Sequence, residues 1–127
     1  MRQQAEIRQL KVGSYILLDD EPCEIVDMST SKPGKHGSAK ARIDAVGIFD
    51  GQRRSLTQPV TSKTNVPIVE RKRAQVMSVA GDTAHLMDLE TFETLELPVP
   101  KKIQDRVKEG EETVYIESMG KRKIAEK

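Results

Sequence analysis

A chain of 127 residues with 36% apolar and only 3% aromatic content has room for one ordinary domain or two very small ones, and excludes a large core. The net charge of +1 excludes a uniformly basic protein, yet it is unevenly spread: residues 1–69 hold ten Lys/Arg against eight Asp/Glu, and residues 70–127 hold eleven against twelve. One cysteine, Cys23, excludes an internal disulfide and a cysteine-rich zinc site.

The start, Met1-Arg2-Gln3-Gln4-Ala5-Glu6, lacks the apolar stretch of a leader, and no window approaches membrane-spanning length. The expectation is a soluble protein of a reducing cytoplasm with no membrane partner. Tyr15-Ile16-Leu17-Leu18 is the first clear strand, ended by Asp19-Asp20-Glu21-Pro22. Cys23 to Met28 is the second, which makes Cys23 a buried structural thiol rather than a reactive one. After an intervening loop, Ala39, Ala41, Ile43 and Ala45 alternate with Lys40, Arg42 and Asp44, the period of a half-buried strand. Ile48-Phe49-Asp50-Gly51 carries an Asp-Gly turn signal, and Arg53 to Val60 is the next strand.

Thr61 to Pro67 is polar and aperiodic, and is predicted to be a linker. Ile68 to Val79 reads as a long, bent strand; Gly81-Asp82 turns it into Thr83–Asp88, and Leu95 and Leu97 share one face of the strand after that. Pro100 to Lys108 is predicted to be one short helix, with Ile103 and Val107 four apart and Gly110 as its C-cap. Thr113–Glu117 returns to strand, and Lys121–Ile124 is a weak final strand or tail. Short strands between turn signals mark small barrels or sandwiches. The second half has the element order of a five-stranded oligonucleotide-binding barrel.

The loop between the second and third strands, Ser29-Thr30-Ser31-Lys32-Pro33-Gly34-Lys35-His36-Gly37-Ser38-Ala39-Lys40, concentrates the chemistry. Pro33-Gly34 asks for a tight turn, and Gly34 and Gly37 bracket Lys35-His36. From Ser29 to Arg42 there are four Lys/Arg and no carboxylate. A Walker-type phosphate loop is excluded by its spacing and by the strand that follows. A Schiff-base lysine would need an apolar pocket or a neighbouring cation, and an exposed loop supplies no pocket. Composition leaves two readings open, a lysine presented outward and an ordinary solvated basic turn. His36 and His85, the only histidines, lack partners at metal-ligand spacing. Asp19-Asp20 and Glu111-Glu112 lie at turns as solvating charges. Arg71-Lys72-Arg73 reads as a solvated surface, or as a basic strand edge touching RNA. Phe92 and Tyr115, the aromatics of the second half, are too few for a base-stacking platform.

The run from Met28 to Lys40, with Gly13-Ser14-Tyr15-Ile16 and Glu21-Pro22-Cys23-Glu24-Ile25-Val26 before it, closely resembles the hypusine-containing translation initiation factor five-A family. Pro33, Ser38-Ala39-Lys40-Ala41-Arg42 and the short N-terminus resemble its archaeal members. The resemblance implies a mainly all-β fold, with an SH3-like barrel at 1–69 carrying the modified loop (29–40) and an OB-fold barrel at 70–127 with one short helix. It implies that Lys35 aligns with the modified lysine and receives an aminobutyl group from spermidine by deoxyhypusine synthase. The product would be hypusine or deoxyhypusine, with no separate cofactor and no metal. Lys32, Pro33, Gly34, His36 and Gly37 would form the modification loop, with Lys40 and Arg42 as weak RNA contacts. The implied partners are the ribosome and peptidyl-tRNA, served by a cytoplasmic monomer that is not an enzyme and that helps peptide bonds form at consecutive prolines. Two alternatives are a small RNA-binding module with an unmodified loop and a lysine-dependent enzyme.

Overall fold

The structure, a computed structural model, describes residues 2–31 and 39–126. Eleven strands account for most of them: β1 (Arg2–Glu6), β2 (Tyr15–Leu18), β3 (Glu21–Ser31), β4 (Lys40–Gly47), β5 (Arg53–Pro59), β6 (Lys63–Pro67), β7 (Glu70–Ala80), β8 (Thr83–Asp88), β9 (Thr94–Pro98), β10 (Glu112–Ser118) and β11 (Lys121–Ile124). The chain divides into two compact units, residues 1–68 and 69–127.

In the first unit β2-β3-β4-β5 form one antiparallel sheet, and β1 pairs with β6 in a second. Alternation decides the inner face: Ala41, Ile43 and Ala45 of β4 are buried while Lys40 and Arg42 point outward. Ile7, Ile16, Cys23 and Ile25 complete that core. β3 is long enough to bend because Val26 is an extra residue between the rungs Ile25↔Ala45 and Asp27↔Asp44. Val26 and Asp27 are exposed in succession, the break in alternation that the bulge makes. Asp19 and Asp20 both have positive φ (54° and 61°), the two-residue turn that closes the β2–β3 hairpin at Leu18↔Glu21.

One expectation fails here. Residues 61–67 are not a linker, for Lys63–Pro67 is a strand paired with β1 from Arg2↔Pro67 to Glu6↔Lys63. Neither strand has an apolar period, since backbone pairing holds them and Ile7 supplies the burial through the 3-10 turn Ile7–Gln9.

The second unit is a five-stranded sheet in the order β11-β10-β7-β8-β9, and β11 comes back against β9 to close it. This is the strand arrangement of an OB-fold barrel, and the first unit is an SH3-like barrel. Ala74, Val76, Ala84, Leu86, Leu95, Tyr115 and Ile124 fill the interior. β7 repeats the device of β3, an eleven-residue strand with Met77 as its bulged, exposed residue.

The helix expected at 100–108 is a single 3-10 turn, Lys101–Ile103, followed by further turns. Ile103 N–H donates to Pro100 O and Arg106 N–H to Ile103 O, both three-residue returns. So short a segment gains little from helix propagation. Successive turns suffice to bury Ile103 and Val107 in the barrel core. Gly110, expected as a helix cap, instead donates its N–H to Val76 O at 2.8 Å with φ of +87°.

Candidate functional site

The β3–β4 hairpin carries the lysine loop. Its rungs run from Cys23↔Gly47 outward through Ser29↔Arg42 and Thr30↔Ala41 to Ser31↔Lys40. Beyond that rung, Val60 N–H donates to Ala39 O at 3.0 Å, so the base of the loop is fastened on the β4 side as well. Lys32, Pro33, Gly34, Lys35, His36 and Gly37 fall outside the described residues. The scaffold that delivers them is therefore the described part of the site. Ala41 and Ile43, both 0% exposed, lock β4 into the core immediately after the loop.

Lys40 and Arg42 stand on the outward face of β4. Arg42 Nη2 lies 3.5 Å from Asp44 Oδ1, which also accepts the Ser55 hydroxyl at 2.5 Å. The Ser55 hydrogen bond, aided by Arg42, holds the Asp44 carboxyl below its usual range. Arg42 thus shares its charge with Asp44, while Lys40 makes no ion pair among the described residues. Beside the hairpin, a shallow groove of about 470 Å³ is lined by Leu10, Lys11, Val12, Met28, Thr30 and Val60. Sequence reasoning missed this groove, because its lining comes from three separated segments.

The other candidates resolve into structure. Arg71-Lys72-Arg73 pairs with β10 on one side only, since the β8 ladder begins at Ala74, and its charges are largely met by carboxylates. Lys72 Nζ meets Glu117 at 2.9 Å and Arg73 meets Glu112 at 2.5 Å. Arg122 bonds the second Glu117 oxygen and Glu93. His85 is exposed on β8, 3.9 Å from Glu96. No group of three His, Cys, Asp or Glu residues able to hold a metal ion occurs among the described residues. Cys23 is buried, and burial pushes its thiol up despite Arg54 nearby. Two polar pairs escaped sequence reasoning, Arg54 with Asp50 at the surface and Tyr115 with Asp88 in the interior.

Residues 3–62 match the family described as "Translation initiation factor 5A-like, N-terminal", and residues 68–126 match "Eukaryotic elongation factor 5A hypusine, DNA-binding OB fold". The chain belongs to the translation initiation factor 5A family. It is 64% identical to the protein of that name from Archaeoglobus fulgidus, over 98% of this chain and 97% of that one. The protein of the same name from Methanococcoides burtonii is 60% identical, over 98% of each chain. A solved structure described as eukaryotic translation initiation factor 5A from Methanococcus jannaschii superposes with a TM-score of 0.90 at 48% identity, covering 98% of this chain and 92% of that one. A second, from Naegleria fowleri, gives 0.77 at 31% identity, covering 98% and 96%. The family, the archaeal relatives and the two β-barrel folds agree with the resemblance read from the Met28–Lys40 run. No helix among the described residues is long and apolar enough to cross a membrane.

Proposed function

We propose that this translation factor acts through Lys35, which carries an aminobutyl extension derived from spermidine, as hypusine or deoxyhypusine, installed by deoxyhypusine synthase. The observation that supports it most is the hairpin itself. β3 and β4 are paired up to Ser31↔Lys40, and Lys40 and Arg42 are turned outward beside the loop that holds Lys35. A lysine at this place supplies a nucleophilic amine that an arginine could not. The extension lengthens the side chain and adds a second cationic nitrogen, which gives it reach to RNA phosphates and the acceptor end of peptidyl-tRNA.

On this reading the factor binds the ribosome in the cytoplasm as a monomer. It promotes peptide-bond formation at poor sequences such as consecutive prolines by ordering a substrate in another catalyst, an entropic effect. Lys35 would then be a positioning group, and the chain would not itself be an enzyme. Lys32, Pro33, Gly34, His36 and Gly37 would shape the loop for the modifying enzyme. The intact mass of protein purified from its own host tests the reading: one aminobutyl unit, with or without a hydroxyl, mapped to Lys35 is the expected result. An unmodified chain would favour a plain RNA-binding module, and a mass on Lys32 or Lys40 would refute the assignment to Lys35.

A further inference from the structure

Two loops of this chain are closed by the same hydrogen bonds but filled by different residues at the corresponding place. After β4, Gly47 N–H donates to Gln52 O at 2.9 Å, and Gly51 N–H reaches back to Gly47 O at 3.1 Å; Gly51 stands at φ +69°. After β8, Asp88 N–H donates to Glu93 O at 2.8 Å, and Phe92 N–H reaches back to Asp88 O at 2.9 Å; Phe92 stands at φ +61°. Position 92 is the counterpart of position 51, a left-handed site where glycine is the unstrained occupant. A bulky residue there is a conformational outlier, as Met119 also is at φ +54°; such outliers persist only where the surrounding structure fixes them, and they cluster at functional sites.

The folded unit does not use the phenyl ring. Phe92 is 69% exposed, the most exposed large apolar residue among those described, and belongs to neither core cluster. Its mount is nevertheless stiff. Asp88, 2% exposed, accepts Glu90 N–H at 2.8 Å and Thr91 N–H at 2.9 Å on one oxygen and the Tyr115 hydroxyl on the other. Thr91 Oγ1 accepts Glu93 N–H at 3.2 Å. An aromatic ring on a preorganised backbone loses little freedom on binding, and such residues are common anchors of protein interfaces.

Charge selects the class of partner. From Leu86 to Pro100 the chain has four carboxylates and no cation. Asp88 is used internally, Glu93 meets Arg122 at 3.1 Å and Glu96 lies near His85, which leaves Glu90 exposed and without an ion pair among the described residues. This setting repels a phosphate backbone and attracts a basic protein surface.

We propose that Phe92 is a docking anchor, a knob that enters an apolar pocket with a cationic rim on a partner protein. The inference rests on the proposed function only in seeking that partner among the proteins of the ribosome. The test uses the full modified chain and purified archaeal ribosomes. Phe92→Gly, and Phe92→Asn as a second residue tolerant of left-handed backbone, are expected to keep or raise the thermal midpoint while weakening ribosome association about tenfold. Glu90→Lys should weaken it at low salt and much less at high salt. A p-benzoylphenylalanine placed at 92 should crosslink to a ribosomal protein. Unchanged affinity of both Phe92 variants, crosslinking to ribosomal RNA, or a lowered midpoint in both variants would each overturn the proposal. If the unsubstituted modified chain fails to bind ribosomes, the functional reading falls too; if it binds and the Phe92 variants bind equally, only the anchor falls.

Discussion

The phenol of Tyr115 on β10 donates to the carboxylate of Asp88 at the end of β8, and both side chains are buried. The bond ties the wall of the second barrel to the loop that begins at Asp88. It also has an electrostatic consequence. The Tyr115 hydrogen bond, joined by the Thr91 and Glu90 N–H groups, pulls the Asp88 carboxyl down to about 2, and burial with the same bond raises the Tyr115 phenol.

A carboxyl depressed in the folded state stabilises the fold above its unfolded value of about 3.9, and that contribution is lost as pH falls towards the folded value. The unfolding midpoint should therefore decline between about pH 5 and pH 2. Tyr115→Phe should lower the midpoint at neutral pH by roughly 5 °C and make the acid decline shallower. Thermal unfolding followed across that range checks both, and an unchanged acid slope in the variant would assign the decline to other carboxylates.

Gly47, at the end of β4, is held to glycine by a neighbour and not by its φ. A Cβ there would lie 1.9 Å from Asp50 Oδ1, the carboxylate that grips Arg54 at 2.8 and 3.2 Å. Arg54 in turn lies 4.0 Å from the Cys23 sulfur. Gly47→Ala should dislodge Asp50, lower the midpoint by several degrees and speed alkylation of Cys23 by iodoacetamide. In the native parent chain the reaction should be far slower than in urea, because the thiol is buried and its ionisation disfavoured. Equal alkylation rates for parent and variant would separate Gly47 from the thiol's protection.

The strands that were legible in the sequence are those with their own apolar signal. Tyr15–Leu18, the alternation from Ala39 to Ala45 and Thr83–Asp88 all carry enough Ile, Val, Leu or Ala to reveal a buried face, whereas Lys121–Ile124, with one apolar residue, was legible only as a weak final strand or tail. β1 and β6 were missed because both are mostly polar with no apolar alternation, and each is a strand through its pairing with the other. The helix at Pro100 was over-read: Ile103 and Val107 are four apart as a helix requires, yet consecutive turns bury the same two residues. For the site, the lysine loop stood out by its glycines and its lack of acid. The neutralisation of Arg71-Lys72-Arg73 could not be seen, since Glu112 and Glu117 come from a strand some forty residues later.

Lys35→Arg should keep the fold and the local charge while removing the nucleophilic amine. Its unfolding midpoint should match the parent's, because the substitution keeps the charge and a surface-type change of this kind contributes little to stability. It should gain no aminobutyl mass in a host with the modifying enzyme, and translation of messages with consecutive prolines should fall to the level seen without the factor. Normal translation of those messages by the variant would count decisively against an action through the modified lysine.

The cations of the two units should differ in what they do. Lys40 makes no ion pair among the described residues, so it is available to a phosphate. Arg42 is already shared with Asp44 at 3.5 Å. Lys72 and Arg73 are held by Glu117 and Glu112, so an RNA phosphate would have to displace a carboxylate from each. Lys40→Ala should weaken ribosome binding and reduce the slope of log affinity against log salt by about 1. Arg42→Ala should do the same to a smaller degree. The triple variant Arg71→Ala, Lys72→Ala, Arg73→Ala should leave the slope nearly unchanged and lower the unfolding midpoint slightly, since it strands Glu112 and leaves Glu117 with Arg122 alone. Ribosome pelleting across a salt series, with thermal unfolding alongside, ranks the three. If the triple variant lost binding while Lys40→Ala and Lys35→Ala kept it, the second barrel would be the RNA reader and the roles of the two units would be reversed.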